Sequence, residues 1–525
     1  MKQKIKLAVR VGVLGVISAF AVILPGLGNE AFYMDVGIVQ RFGEDPEDKI
    51  VLTSPDQAAL QVEFEEDGEQ ISLETNRLTL EIENQALDKP EIRERVVLSD
   101  HATFETAESS AKTWEERGLL VEVTQPGRWQ VWAKTDIYRS PLLRRFLLAS
   151  LEEEGYYLPY LHTEVLEEIP IVSFEVNGER YTVENLEVRH EGETIEVDAS
   201  DAPRRLYPGD LQLQPNSYGN YTLVNTVEVE DYLRGVVPHE IGHNVPFEAV
   251  KAQAIIARTY ALKNLHRFEA DDYELCATVH CQVYWGWKET NDRSDRAIEE
   301  TAKQILSHDG KLVDALYSST TGGVTAYFND IWDGQQRPYL KSVIDSTKPV
   351  WDLEKRPLNQ EENFREFIDQ KQEFNETGSR AFRWQGKSKI EDLTEDLQKY
   401  LERINHPDAE AVTEIKEMAV TARSRSGRIL EMDVETNQGT ITLEKTEVRS
   451  AFGPPRSTLF YLKPITNNNG ELTEYEFIGG GFGHGVGLSQ IGAHHLAREG
   501  WSAKEILSFY YPETDMIPLE EVVDP

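Results

Sequence analysis

Residues 227–262 read VEVEDYLRGVVPHEIGHNVPFEAVKAQAIIARTYAL. From Pro246 onward the pattern is helical, because a proline in the first turn loses nothing by lacking an N–H. Val250, Gln253, Ala254, Ala257, Arg258 and Ala261 then fall on one side of the wheel. Four of these six are small or apolar, so that side can lie close against another element. A guanidinium on a face meant for burial requires a carboxylate partner or an anionic ligand, which makes Arg258 a candidate site residue. Upstream, the strand-like run 221–229 leads to Pro238-His239-Glu240-Ile241. This sets one carboxylate, Glu240, on a short irregular segment between strand and helix, where folds tend to present chemistry. Without such a role Glu240 is a solvated loop acid.

Three further stretches carry reactive residue types. Residues 276–284, CATVHCQVY, bring two thiols and an imidazole together. Thiolate and imidazole suit zinc, a disulfide closing this short loop suits an oxidising compartment, and free thiols are the third option. Residues 317–325, YSSTTGGVT, combine glycines that let backbone approach a ligand with hydroxyls suited to sugar hydrogen bonds. Residues 479–493, GGGFGHGVGLSQIGA, place six glycines in nine residues and hold His484 between Gly483 and Gly485. No Lys-Ser/Thr ending follows, which argues against a phosphate-cradling loop.

At 525 residues the chain exceeds one ordinary domain, and its 40% hydrophobic content allows a sizeable core. The formal net charge of −38 argues against nucleic acid and anionic lipid as partners, since both require a basic footprint. Two cysteines in such a length do not make a disulfide framework. Lys2, Lys4, Lys6 and Arg10 precede an uncharged run at 11–28, the export pattern. The run is about long enough to cross a bilayer. Residues 1–30 therefore read as a cleaved signal peptide or a retained membrane anchor, and either one places the remainder outside the cytoplasm.

The fold class is α+β, multidomain, with a β-rich N-terminal half. Residues 31–100 are acidic, with short strands at 51–52, 60–64 and 78–82. Residues 101–165 run helix (108–117), strand (120–123), turn, strand (129–133), helix (140–154), strand (156–161). Trp129 and Trp132, three apart in a strand, fall on opposite faces. Strands dominate 169–229, a helix covers 295–306, and 351–412 is a charged stretch with helices at 351–365 and 390–404. Ser502 and Glu505 form a capping signature for a last helix.

Tyr232-Leu233-Arg234-Gly235-Val236-Val237, Glu240 and residues 251–262 (KAQAIIARTYAL) resemble the signature of the SpoIID/LytB family of bacterial cell-wall proteins. That signature is a YL-x-GVV strand, a Glu-centred turn and a helix. The family follows its glutamate with Met-Pro, where this chain has Ile241-Gly242-His243. The 317–325 segment, residues 449–460 (RSAFGPPRSTLF) and the 479–493 string, with Leu488 for the family's Met, are similar too. The helix–strand pattern of 101–165 resembles a SPOR domain, a small module that binds peptide-free peptidoglycan glycan.

The resemblance implies a SpoIID-type catalytic domain over 166–516, with 351–412 as an insertion. It implies a lytic transglycosylase that cuts peptide-free glycan strands to 1,6-anhydro ends in cell-wall remodelling linked to sporulation. Glu240 matches the catalytic acid/base and Arg258 a cleft arginine. Tyr317, Ser319, Thr320, Gly322, Gly323, His484, Ser489 and Gln490 match cleft-lining segments. Some members bind zinc through a Cys…His-Cys-Gln segment and an upstream histidine, which implies Cys276, Cys281 and His266 here. The cysteines stand one position closer than in that pattern and His266 stands farther away. His280 is then either another zinc ligand or the counterpart of the family's cleft histidine. Two other readings stay open: a non-catalytic enhancer of a cell-wall amidase, and a glycan-binding scaffold.

Overall fold

The computed structural model describes residues 31–56, 58–200 and 203–523. The basic–apolar segment expected as signal or anchor lies outside them. Among the described residues no helix is long and apolar enough to cross a membrane.

The fold is α+β and multidomain, as expected. Its N-terminal half is built on two large sheets. The first runs Leu275–Cys276, Tyr33–Phe42, Tyr221–Glu228, Asp210–Pro215, Leu186–His190, Leu60–Glu66 and Glu69–Thr75 across its width. Strict alternation makes these strands: Leu60, Val62 and Phe64 point into the core while the residues between them face outward. Tyr33–Phe42 lies between two late partners, antiparallel to Tyr221–Glu228 (Tyr33 opposite Glu228) and parallel to Leu275–Cys276. The second sheet centres on the long strand Arg77–His101, which pairs with Tyr160–Val176, Lys49–Thr53 and Trp129–Ala133.

Against that sheet pack helices α1 (Phe104–Glu116) and α2 (Pro141–Glu153), the latter capped by Ser140, whose side chain accepts the Leu143 N–H. With strands Val121–Thr124 and Trp129–Ala133 they keep the order expected for 101–165. Trp129 packs on Phe104 and Phe268, while Trp132 lies under Arg95 and beside Tyr218, on the other face.

Helices α3 (Val229–Ile241) and α4 (Phe247–Lys263) follow. The expected strand at 232–237 is the interior of α3. Val229, Tyr232, Leu233, Val236 and Val237 recur at helical spacing and are all buried, and the Glu228 side chain caps the start by accepting the N–H groups of Glu230 and Asp231. Gly235 within it leaves room for the Tyr284 ring, which would stand 2.5 Å from an added Cβ. Helix α4 is buried on every side rather than on one face: of residues 249–262 only Lys251 is not buried. It threads between α3, α5 (Asp292–Glu300) and the C-terminal helices. Helix α5 ends earlier than expected, because Thr301 bonds back to Ala297 O and Lys303 takes φ +60°. Residues Gln304–His308 then form a strand against Asp515–Pro518.

Residues 351–360, expected as helix, are turns that reverse around Pro357, and α6 (Glu361–Asp369) begins after them. Helix α7 (Ile390–Arg403) covers two three-stranded sheets, and these elements bury an apolar cluster of their own around Leu397, Tyr400, Met432 and Phe477. Short α8 (Glu447–Ser450) follows, then α9 (Gln490–Arg498) and α10 (Ala503–Tyr510), whose Ser502–Glu505 capping box forms as the sequence indicates.

Candidate active site

Glu240 is the penultimate residue of α3, so it sits on a helix end rather than on a free loop. Its Oε1 accepts the Val283 N–H at 2.8 Å, and Gln490 at the start of α9 donates Nε2–H to its backbone carbonyl at 2.9 Å. Burial raises the carboxyl's pKa above the ordinary value, opposed by the Val283 amide and the Tyr317 and Gln490 side chains. Behind it a relay of hydrogen bonds runs from Tyr232 Oη to Gln282 Oε1 and from Gln282 Nε2 to Tyr317 Oη.

Glu240 faces a cleft of about 730 Å³. One wall comes from the loop 279–283 with His280, another from Tyr317, Ser318 and Ser319, and a third from Phe482, Gly483 and His484. Of the residues predicted from sequence, Glu240, His280, Tyr317, Ser319 and His484 thus converge on one space, with Gln490 bracing Glu240 from behind. The His484 Nδ1 accepts the Val486 N–H at 3.0 Å, which leaves the proton on Nε2. Burial lowers its pKa to about 3, so the imidazole is neutral. It stands against Trp332, with ring centroids 5.0 Å apart.

The other predicted residues do different work. Arg258 is fully buried and takes the carboxylate alternative: Nε donates to Glu230 Oε1 at 2.8 Å, Nη2 to Glu230 Oε2, and Nη1 to Gln304 O at 3.0 Å. It does not line the cleft, and no cation opposes the raised pKa of Glu240. Gly322 and Gly323, at φ +76° and +86°, do turn their amides onto a carboxylate, but it is the chain's own Glu376. Its Oε2 accepts both N–H groups at 2.9 and 3.0 Å, and its Oε1 accepts from the Thr321 amide and hydroxyl and from Ser489 Oγ. Ser489 also caps α9 by accepting the Gly492 N–H. Thr320 donates Oγ1–H to Ala381 O, and its backbone bridges to Phe482.

The thiol pair resolves as the second of its three options. Cys276 and Cys281 are joined by a disulfide. A disulfide sulfur is no thiolate, and His266 is turned to Glu108 at 3.2 Å, so the residues expected to hold zinc do not fit that ion. Among the described residues no group of three or more His, Cys, Asp or Glu side chains is placed to hold a metal.

Sequence reasoning missed several parts of the cleft. Phe104, Glu105 and Trp129, from the α1 module, form part of its wall. Arg267 ties them in: it donates to Glu105, to Tyr260 Oη and, at 2.8 Å, to the carbonyl of His280. Trp332, Phe482 and Arg449 also line it. Arg449 opens the segment 449–460, which the sequence marked without assigning it chemistry.

Residues 217–308 match the family model described as "Stage II sporulation protein", and residues 326–487 match one described as "Domain of unknown function (DUF8618)". An uncharacterized protein of Brachyspira hyodysenteriae (strain ATCC 49526 / WA1) is 28% identical over 322 residues, 60% of this chain and 73% of that protein. The amidase enhancer of Bacillus subtilis (strain 168) is 27% identical over 304 residues, 54% of this chain and 40% of that protein. Stage II sporulation protein D of Bacillus amyloliquefaciens is 27% identical over 308 residues, 56% of this chain and 75% of that protein.

Proposed function

The chain belongs to the SpoIID/LytB family through its central domain, and on that premise we propose that it is a peptidoglycan lytic transglycosylase acting in sporulation-linked wall remodelling. Its substrate is peptide-free glycan, and it works outside the cytoplasm. The observation that carries this reading is the acid count in the cleft. Two acids line it, and Glu105 is ion-paired with Arg267, which leaves Glu240 as the single carboxyl available for proton transfer. Hydrolysis with water as nucleophile ordinarily uses two carboxyl groups. A transglycosylase needs one.

In the first half of the reaction protonated Glu240 gives its proton to the glycosidic oxygen as the C1–O bond breaks. In the second half its carboxylate takes the proton of the same sugar's C6 hydroxyl, whose oxygen bonds to C1. The product is a 1,6-anhydro ring, no water is consumed, and Glu240 ends protonated as it began. Burial, which favours the protonated form, suits the first step. The Val283 amide and Tyr317 stabilise the carboxylate between the two steps. Neutral His484 does not compete for the proton.

Digestion of peptide-free glycan strands by the full chain, wild type against Glu240→Gln, tests this. Anhydro-ended fragments from wild type alone are expected, and reducing ends or products from the variant overturn it. The amidase-enhancer relative favours one second reading, in which the protein stimulates a wall amidase without cutting glycan. That reading predicts equal stimulation by wild type and Glu240→Gln.

A further inference from the structure

Arg449 stands out among the cations of the cleft. Arg267 already has its carboxylate in Glu105, and its Nη groups also donate to Tyr260 Oη and the His280 carbonyl. Arg449 lines the same space beside His484 and Phe482, is exposed, and among the described residues its guanidinium has no carboxylate or hydrogen-bond partner. That is unexpected in a chain with 92 acidic and 54 basic side chains, where a carboxylate for every arginine is easily found. The neighbouring imidazole is neutral, so it neither balances nor adds to this charge. Partial desolvation weakens the hold of Arg449 on its charge and no nearby acid offsets this, so the site gains from an incoming anion. A guanidinium presents a planar fork that matches a carboxylate in two parallel hydrogen bonds.

We infer that Arg449 is a specificity residue that binds a carboxylate of the glycan, namely the lactyl carboxylate of a muramyl residue. The inference rests on the transglycosylase reading for the identity of the polymer. In a peptide-bearing strand the lactyl carbonyl is an amide, neutral and followed by a bulky chain. Once the peptide is removed it is a carboxylate with both oxygens free. Arg449 therefore distinguishes stripped from unstripped strands by charge as well as by size, and peptide removal must precede binding.

The test separates binding from cleavage by using the full-length Glu240→Gln protein, which leaves the strands intact. Its affinity is measured for peptide-free strands and for the same strands with their lactyl carboxylates converted to methylamides, with and without Arg449→Gln. The parent should prefer the carboxylate strands by on the order of tenfold, the weight of one charge-assisted hydrogen bond. Arg449→Gln should abolish the preference while melting at the same temperature, and Arg449→Lys should restore part of it. Equal binding of the two strands by the parent, a preference that survives Arg449→Gln, or no binding of either strand overturns the inference. Product analysis of the wild type reads the parent proposal independently. A carboxylate preference without anhydro ends keeps Arg449 and rejects the transglycosylase, and anhydro ends without a preference do the reverse.

Discussion

Glu240 and Glu376 are both removed from bulk water and both accept backbone N–H groups, yet their surroundings diverge. Glu240 takes one amide, that of Val283, and opens onto the cleft. Glu376 is fully buried and takes three amides, from Thr321, Gly322 and Gly323, plus the hydroxyls of Thr321 and Ser489. Close by, Asp345 is also fully buried and held by Tyr510 Oη and Asn375 Nδ2, and burial together with the Glu376 charge pushes its pKa well up. A carboxylate saturated with donors has nothing left to exchange. One left short of donors at the edge of a cavity can pass a proton. The difference lies in how many lone pairs the fold has already filled.

The comparison is broken most directly by substitution on its two sides. Glu240→Gln is expected to lower turnover about a thousandfold, within the range for loss of a general acid–base, with the melting temperature held. Glu376→Ala is expected to cost at least about 3 kcal/mol in denaturant unfolding, because it orphans three buried amides, each worth about 1–3 kcal/mol. Turnover per folded molecule should survive. A Glu376 variant that stays stable but loses turnover would erase the distinction. Arg258→Met sharpens it from a third position: stripping the partner from Glu230 should destabilise by about 3 kcal/mol without altering the product ends.

Smaller effects follow. Reducing the Cys276–Cys281 disulfide, which closes a six-residue loop at the cleft wall, should cost roughly 2 kcal/mol of thermal stability. Chelators should have no effect on activity. The smallest effect is on the pH dependence of stability. Because the folded pKa of Glu240 is raised, its contribution is complete below the unfolded value and is lost as pH rises through the folded one. Wild type should therefore lose ground to Glu240→Gln as pH rises in paired thermal melts, and kcat/KM should fall over the same interval.

Much of the architecture was legible because short-range patterns specified it. Alternation gave strands such as Leu60–Glu66, and Ser502–Glu505 marked the last helix. The strand reading of 232–237 came with the family signature and failed because the burial period and the Glu228 cap impose a helix. At the site, Glu240, Tyr317, Ser319, His280 and His484 were marked by the family resemblance, and the structure brings them to one cleft. Gly322, Gly323 and Ser489 were read as facing a ligand, and they do bind a carboxylate. No local signal says that it comes from Glu376, more than fifty residues away from each of them. The same limit hid Glu230 from Arg258 and the α1 module from the cleft: each is a long-range contact with no periodic signature.

The pairing of Tyr33–Phe42 has a consequence for the order in which the molecule can be assembled. A ribosome releases that strand about two hundred residues before Tyr221–Glu228, and still longer before Leu275–Cys276, which closes its other edge. In the interval it is an apolar ribbon with both edges bare, able to pair with another chain. The strand that leads into α3, and so the placement of Glu240, waits on this late closure. The carboxyl of Glu240 thus reaches its place only after Leu275–Cys276 has emerged, and a chain halted before that point holds no formed cleft.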